Sequence, residues 1–192
     1  MCGRYTTAQL AYDWIEEQLE MGWDPMEDCP DGDIFPGDNI QIVAAGEDGP
    51  KLMKANWGLL GKEKGLIINA RCETVLSRPS FAASFEARRC LVPACGFYEW
   101  DKDKNKVLFK NQGDEPIYLA GFWTYANDEY CFVILTTDAN ESMASVYDRM
   151  PVMIKASDAR AWLYDFERAK EMLLITMPAL NSFRDSEQIS FF

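Results

Sequence analysis

The chain has 192 residues, the size of one globular domain, and its content of 48% hydrophobic and 26% charged residues is typical of a folded soluble protein. Its formal net charge of −12 disfavours a general nucleic-acid-binding domain but leaves room for a local cationic cleft. There is no histidine, which excludes Ser-His-Asp and Cys-His catalysis, histidine-containing zinc sites and facial-triad iron sites.

The first predicted helix begins after Thr6 or Thr7, carries an apolar stripe and ends near Gly22. The proline- and glycine-rich stretch 23–37 is predicted to be an ordered loop. Eight segments rich in β-branched and aromatic residues then follow as predicted strands: 40–45, 52–57, 66–71, 89–93, 97–100, 106–109, 117–124 and 130–136. Near the C-terminus, Ser157 or Asp158 is a suitable cap for a helix that contains Trp162, and a second short helix is predicted over 169–174.

These elements predict one α+β domain over residues 1–192: a β-rich fold with a curved, barrel-like antiparallel sheet and a few peripheral helices. Helices and strands do not alternate, which disfavours a doubly wound sheet. The sequence contains no glycine-rich phosphate loop, so no nucleotide cofactor is expected. No apolar run reaches the roughly 18–20 residues that span a bilayer, and residues 1–10 lack a secretory apolar core. We therefore expect a cytoplasmic monomer that has no membrane partner.

Six cysteines occur, and none of them forms a C-x-x-C pair: Cys2, Cys29, Cys72, Cys90, Cys95 and Cys131. A four-ligand zinc site needs two such pairs, so no metal site is expected. In a reducing compartment the last five are expected to be small structural hydrophobes.

Cys2 is the most distinctive chemical feature. Removal of Met1 would leave a 1,2-aminothiol, whose amine condenses with an aldehyde to an imine that the thiol then closes to a thiazolidine. An α-amine is roughly 15% neutral at pH 7 whereas a lysine is only ~0.04% neutral, so the amine is some hundred-fold more available. The adjacent thiol gives ring closure a high effective molarity.

Two other interpretations start from the same residue. Cys2 can be an ordinary buried second residue, as most free cysteines are. It can also be the nucleophile of an N-terminal-nucleophile amidohydrolase, in which the cysteine attacks an amide carbon and its own amine is the base. That mechanism also works without histidine, and residue 2 alone does not decide between the three.

Five blocks stand out in order along the chain: Met1–Tyr5 (MCGRY), Trp57–Leu59 (WGL), Ile68–Thr74 (INARCET), Arg88–Trp100 (RRCLVPACGFYEW) and Asp148–Val152 (DRMPV). This ordered set resembles the SRAP family, the SOS-response-associated peptidases or abasic-site processing proteins. The resemblance implies a DNA-damage protein that captures the ring-opened aldehyde of an abasic site in single-stranded DNA as a thiazolidine on Cys2. It also implies lyase- or peptidase-like chemistry of low turnover, including autoproteolytic removal of Met1.

The resemblance also assigns roles to individual residues. Asn69 matches the family's active-site asparagine, and Glu99 matches its catalytic glutamate, which would protonate the sugar oxygen and the leaving hydroxyl. Arg4, Arg71 and Arg149 match cationic positions along the DNA groove, where a guanidinium binds phosphate bidentately. Two further positions match apolar residues that stack on or wedge between bases: Pro36 and Trp57.

Tyr147 is a departure from the family pattern, because a histidine that assists crosslinking and release normally precedes the Asp-Arg-Met-Pro block. A phenol with a pKa near 10 is a poor base at pH 7. We therefore expect capture through Cys2 and Glu99 to persist and release to be altered. The same departure leaves open a further interpretation of the whole chain, a non-catalytic relative that binds single-stranded DNA.

Overall fold

Two β-sheets dominate the computed structural model, which describes residues 2–21, 29–61, 65–113 and 115–184. The strands are β1 Tyr5–Thr7, β2 Gly32–Ile34, β3 Asn39–Ala45, β4 Pro50–Trp57, β5 Leu59–Leu60, β6 Leu66–Ile67, β7 Asn69–Arg71, β8 Arg89–Ala94, β9 Gly96–Trp100, β10 Lys106–Asn111, β11 Ile117–Ala126, β12 Glu129–Asp138, β13 Arg149–Pro151, β14 Met153–Ile154 and β15 Leu180–Arg184. The α-helices are α1 Gln9–Leu19, α2 Pro79–Ala87, α3 Ala159–Tyr164 and α4 Phe166–Met172.

The larger sheet closes into a five-stranded barrel. Its strands follow the order β12-β4-β3-β8-β11, and β11 pairs back onto β12. Three short strands extend it, with β7 and β13 on β12 and β14 on β11. The predicted α+β, barrel-like architecture is confirmed. The pairings are antiparallel except those of β4 and β7 with β12, which are parallel.

The second sheet has the order β15-β10-β9-β1-β2 and is antiparallel throughout. Its inward side chains alternate with outward ones, as the two-residue period of a strand requires. The inward residues include Tyr5, Phe97, Val107 and Phe109, all fully buried in the common core. The candidate site lies where β1 and β9 of this sheet meet the start of β7.

The N-terminal helix begins later than the sequence predicts. Residues 5–7 form strand β1, and the Thr7 hydroxyl donates to the Pro93 carbonyl at 2.9 Å instead of capping a helix. Pairing with β2 and β9 therefore outweighs the local preference of threonine for a cap. Gly22 lies outside the described residues, as do residues 23–28 of the predicted loop, and Gly32–Ile34 of that loop forms β2.

The remaining helices pack against the outside of the barrel. The sequence analysis did not predict α2, which starts at Pro79 and buries Phe81 and Phe85 one turn apart. Helix α3 begins at Ala159, directly after the predicted cap position Asp158, although the Asp158 side chain makes no capping hydrogen bond and a 3-10 turn over Ala156–Asp158 precedes the helix. Helix α4 begins at Phe166, before its predicted start. The Asp165 carboxylate caps α4 by accepting from the Arg168 backbone N–H at 3.0 Å.

Two further findings concern membrane contact and the cysteines. None of the helices in the described ranges is long and apolar enough to cross a membrane. All six cysteines are free thiols; Cys72, Cys90 and Cys131 are buried and Cys29 and Cys95 are half-buried.

Candidate active site

Cys2 and Glu99 are brought together by the pairing of β1 with β9. Tyr5 lies opposite Phe97, and the Tyr98 N–H donates to the Arg4 carbonyl at 2.9 Å, so the residues before β1 run beside the end of β9. Cys2 is only 1% exposed, with its Sγ 3.8 Å from the Arg4 carbonyl oxygen. The Glu99 side chain is also buried, on the inward side of its strand.

Asn69 joins this pair from the other sheet. It starts β7, which runs parallel to β12 with Asn69 opposite Ile134. Its side-chain Nδ2 donates to the Cys2 carbonyl at 2.9 Å, so the amide fixes the backbone of Cys2. Its Oδ1 is buried and accepts no hydrogen bond from the described residues. A buried acceptor in that state is available to a ligand hydroxyl or amine.

The electrostatics of the pair favour the protonated form of both side chains. Burial raises the pKa of Glu99, and the nearby Asp148 carboxylate raises it further. Burial also raises the pKa of the Cys2 thiol, and the negative charge of Glu99 adds to that increase. A perturbed carboxyl beside a thiol is a common feature of catalytic sites.

Arg4 lies at the rim of this group, two residues after Cys2. Its guanidinium carbon is 4.5 Å from the ring centroid of Phe35 and 5.2 Å from that of Trp100. An oxygen of Asp33 lies 3.8 Å away, too far for a hydrogen bond of good geometry. The side chain is 27% exposed, so the guanidinium is accessible to an anion.

Pro36 lies on a tight turn next to Arg4. The Asp38 N–H donates to the Phe35 carbonyl at 3.0 Å, with Pro36 and Gly37 at the centre of the turn. Gly37 has a φ of +95°, which glycine adopts without strain and which a type II turn requires at that position. Pro36 is half-buried and Phe35 is exposed, so the turn presents an apolar surface at the rim.

Comparisons with known proteins identify the family of the chain. The family model described as SOS response associated peptidase (SRAP) matches residues 1–189. The chain belongs to the SRAP family. It is 31% identical over 179 residues to the abasic site processing protein YoqW of Bacillus subtilis, covering 85% of this chain and 80% of that one. The Escherichia coli relative, abasic site processing protein YedK, is 25% identical, with 89% and 83% covered.

Solved structures show the same fold. A protein from Bordetella bronchiseptica superposes with a TM-score of 0.79 at 19% identity, covering 95% of this chain and 99% of that one. A phage-related protein from the same organism gives 0.77 at 26% identity, with 95% and 93% covered.

Trp57, which the SRAP resemblance assigns to DNA, lies in the core beneath the site. It is fully buried, stacks on Phe132 and packs against Tyr5. Its indole N–H donates to the Ile68 carbonyl at 3.0 Å. Because neither face of its ring is exposed, Trp57 is a core residue next to the site in this structure and is not placed to stack on a base.

The terminal nitrogens of Arg149 are bound to acceptors within the protein. Its two terminal nitrogens bind both carboxylate oxygens of Glu73, at 2.7 and 2.9 Å. They also bind Asp138 and the Thr136 carbonyl. The side chain is buried, and these acceptors occupy the guanidinium edge that a phosphate would need. The geometry therefore favours a structural role.

Arg71 and Tyr147 are the remaining predicted positions. Arg71 is exposed at the end of β7, two residues after Asn69. Tyr147 is half-buried in the turns that precede β13, directly before the Asp148 that acts on Glu99. No cluster of three or more His, Cys, Asp or Glu side chains within the described ranges is arranged to hold a metal ion.

The sequence analysis did not single out three aromatic residues that surround Arg4: Phe35, Tyr98 and Trp100. A signal was present in β9, because Glu99 is inward and buried while its two neighbours must face outward. The position of Phe35 depends on the β1–β2 pairing, for which the local sequence gives little indication.

Proposed function

We propose that, after Met1 is removed, the protein captures abasic sites in single-stranded DNA as a thiazolidine on Cys2. The observation that carries this proposal is the grouping of Cys2, Asn69 and Glu99, in which one side chain fixes the nucleophile's backbone and another is a buried acid. The relatives named abasic site processing proteins support the choice of substrate.

The first step is condensation of the free α-amine with the C1 aldehyde of the ring-opened sugar. The amine nitrogen forms a bond to C1 while the C=O π pair moves to oxygen and a proton passes from nitrogen to that oxygen. The resulting carbinolamine loses its hydroxyl as water to give a protonated imine. Burial raises the pKa of Glu99. Its carboxyl supplies the proton that this hydroxyl needs in order to leave. The orphaned Oδ1 of Asn69 accepts from a sugar hydroxyl or from the reacting nitrogen.

The second step is ring closure by the thiol. Sulfur bonds to C1 of the protonated imine, the C=N π pair moves to nitrogen, and the thiol proton passes to the Glu99 carboxylate left by the first step, which regenerates the acid. The overall change is the loss of one water. Burial raises the pKa of the Cys2 thiol and so disfavours the thiolate that attack on an amide carbon requires, which counts against the amidohydrolase.

DNA would approach along the accessible cations. Arg4 and Arg71 lie within two residues of Cys2 and Asn69, respectively, and both guanidinium groups are at least partly exposed. They would hold phosphates on either side of the damaged sugar, while Pro36 covers the rim. Such contacts read only the backbone, so recognition would be independent of sequence.

The test is a denaturing gel of purified protein mixed with a single-stranded oligonucleotide that contains one abasic site. We expect a heat-stable adduct whose intact mass equals protein without Met1 plus DNA minus one water. The same oligonucleotide without the lesion and a Cys2→Ala variant are the controls, and neither should yield the adduct. An unmodified protein mass after incubation would contradict the proposal, and turnover of a small amide without adduct would favour the amidohydrolase.

A further inference from the structure

The outward surface of the second sheet, β15-β10-β9-β1-β2, carries a row of aromatic side chains. Cross-strand pairing places Tyr98 opposite Leu108, and Leu108 opposite Phe183. Arg4 is hydrogen-bonded to Tyr98 through the backbone, and Phe35 stacks on the Arg4 guanidinium. We call this set, together with Trp100, the outer face: Phe35, Arg4, Tyr98, Trp100, Leu108 and Phe183.

The outer face is open to solvent, whereas the opposite side of the same strands is core. Phe35 is 42% exposed and Phe183 is 48% exposed, at opposite edges of the sheet. Tyr98, Trp100 and Leu108 are half-buried between them. Scattered single apolar residues are normal on a surface, but a contiguous aromatic row marks an interaction site.

The charges on the outer face point to an anionic partner. Lys106 and Lys110 alternate with Leu108 along β10 and share its side of the sheet. The Lys106 ammonium lies 5.1 Å from the Tyr98 ring centroid. Arg4, Lys106 and Lys110 are three basic residues of this surface, and two acidic residues, Asp33 near Arg4 and Asp38 bound to the Phe35 N–H, lie at its β2 edge. The whole chain, by contrast, carries a net charge of −12.

We propose that the outer face is a stacking platform for unpaired bases of the single-stranded DNA that flanks the capture site. Aromatic rings interleaved with basic side chains on an open sheet are how single strands are commonly held, because every base has a ring face. The identity of the strand rests on the proposed function.

The platform is continuous with the capture site. Glu99 lies between Tyr98 and Trp100 on β9 and points to the other side, and Arg4 is two residues from Cys2. A strand that leaves Cys2 past Arg4 therefore meets the aromatic row. Five strands spaced about 4.8 Å apart span roughly 19 Å from β2 to β15, which is room for several nucleotides.

The experiment measures fluorescence anisotropy of intact single-stranded oligonucleotides, without an abasic site, at lengths bracketing the roughly 4–16 nucleotides that stacking domains cover. Phe183→Ala is expected to weaken binding of the longer oligonucleotides about 10-fold, the usual size of one stacking contact. Phe183→Tyr should restore the affinity, and Phe183→Leu should not. The matched control is Tyr125→Ala, which removes an exposed aromatic ring from the distant β11–β12 hairpin.

The outcomes separate this proposal from the proposed function. Equal affinities of native protein and Phe183→Ala, with both variants folded by circular dichroism, would overturn the platform whether or not crosslinking occurs. Loss of affinity in Phe183→Ala, together with failure of native protein to crosslink an abasic oligonucleotide, would support the platform and reject thiazolidine capture. A shift of native protein to a dimer that Phe183→Ala abolishes would also overturn it, by assigning the face to a second copy.

Discussion

Two groups of polar side chains in this protein, each with a buried member, have different surroundings. In the Arg149 cluster (Arg149, Glu73, Asp138 and Thr136), the terminal guanidinium nitrogens are bound to two carboxylates and a carbonyl. In the Cys2 cluster (Cys2, Asn69 and Glu99, with Arg4 at the rim), the Asn69 Oδ1 has no partner among the described residues. The two ionisable groups of that cluster, Cys2 and Glu99, have raised pKa values.

The difference separates stabilisation from chemistry. The terminal nitrogens of the buried Arg149 are paired, although its Nε has no partner among the described residues, and the ion pairs link β13 to the 3-10 turn Cys72–Ser77 and to the end of β12. A buried carboxyl whose charged form is disfavoured makes the native state less stable than it would otherwise be. Proteins keep such groups where a reaction requires them.

Glu99→Gln should show the largest effect, because it removes the acid of the Cys2 cluster and preserves its shape. We expect the crosslinking rate to fall about 10²–10⁴-fold, the usual contribution of general acid–base catalysis. A rapid-quench time course at saturating abasic oligonucleotide measures it. A rate within a few-fold of native would assign the proton transfers to solvent.

The same substitution should raise stability at neutral pH. Because the folded-state pKa of Glu99 is raised, the unfolded state ionises first as pH rises through the ordinary glutamate range. Native stability is therefore fully present below that range and is lost as pH rises towards the folded-state pKa. Glu99→Gln lacks this loss, so its melting temperature should exceed that of native protein at pH 7 and not at pH 4.

Arg149→Met should act on stability instead. It removes the cation from the carboxylates of Glu73 and Asp138, whose side chains are 42% and 86% exposed. Because solvent screens these carboxylates, we expect a loss of only about 1 kcal/mol in the free energy of unfolding, measured by denaturant titration. Arg149 lowers the pKa of Glu73, so this contribution is present above the ordinary glutamate pKa and disappears as pH falls through the lowered one. The native–variant difference should therefore shrink in acid.

Arg4→Ala gives the matched measurement at the rim. Removing one phosphate contact should weaken binding of intact single-stranded DNA several-fold and reduce the slope of log affinity against log salt by about 0.7. Arg149→Met, if it is folded at the assay temperature, should leave that slope unchanged. An equal change of slope in both variants would mean that the DNA reaches Arg149 after all, and would erase the distinction between the two clusters.

The strands were the most predictable part of the fold. Runs of β-branched and aromatic residues predict the long barrel strands β3, β11 and β12 to within a few residues, because each strand has a continuous stretch that is buried on both sides. Helix α2 was missed although Pro79 at its start and the Phe81–Phe85 spacing are both helix signals. Thr7 is a strand residue because of partners far away in the sequence, and local propensity does not report those.

The candidate site was predictable only in part. Chemistry alone singles out Cys2, whereas the resemblance to the SRAP family adds Asn69, which is 67 residues away and contacts its carbonyl. Burial could not be read from sequence for Trp57 and Arg149, because it depends on which strands and carboxylates lie opposite. The aromatic surroundings of Arg4 required the β1–β2 and β1–β9 pairings.

Tyr147→His should give the smallest effect, and it tests how complete the Cys2 cluster is. Tyr147 is half-buried and precedes the Asp148 whose charge acts on Glu99. An imidazole is mostly neutral at pH 7 and can take up a proton that a phenol cannot. We expect release of the adduct to become a few-fold faster while capture is unchanged, because the thiazolidine itself resists hydrolysis.

The measurement is the decay of purified adduct after excess abasic competitor is added, with Tyr147→Phe as the control that lacks both groups. Identical decay of the native protein and Tyr147→His would mean that residue 147 does not reach the adduct, and that Glu99 alone governs both directions of the reaction.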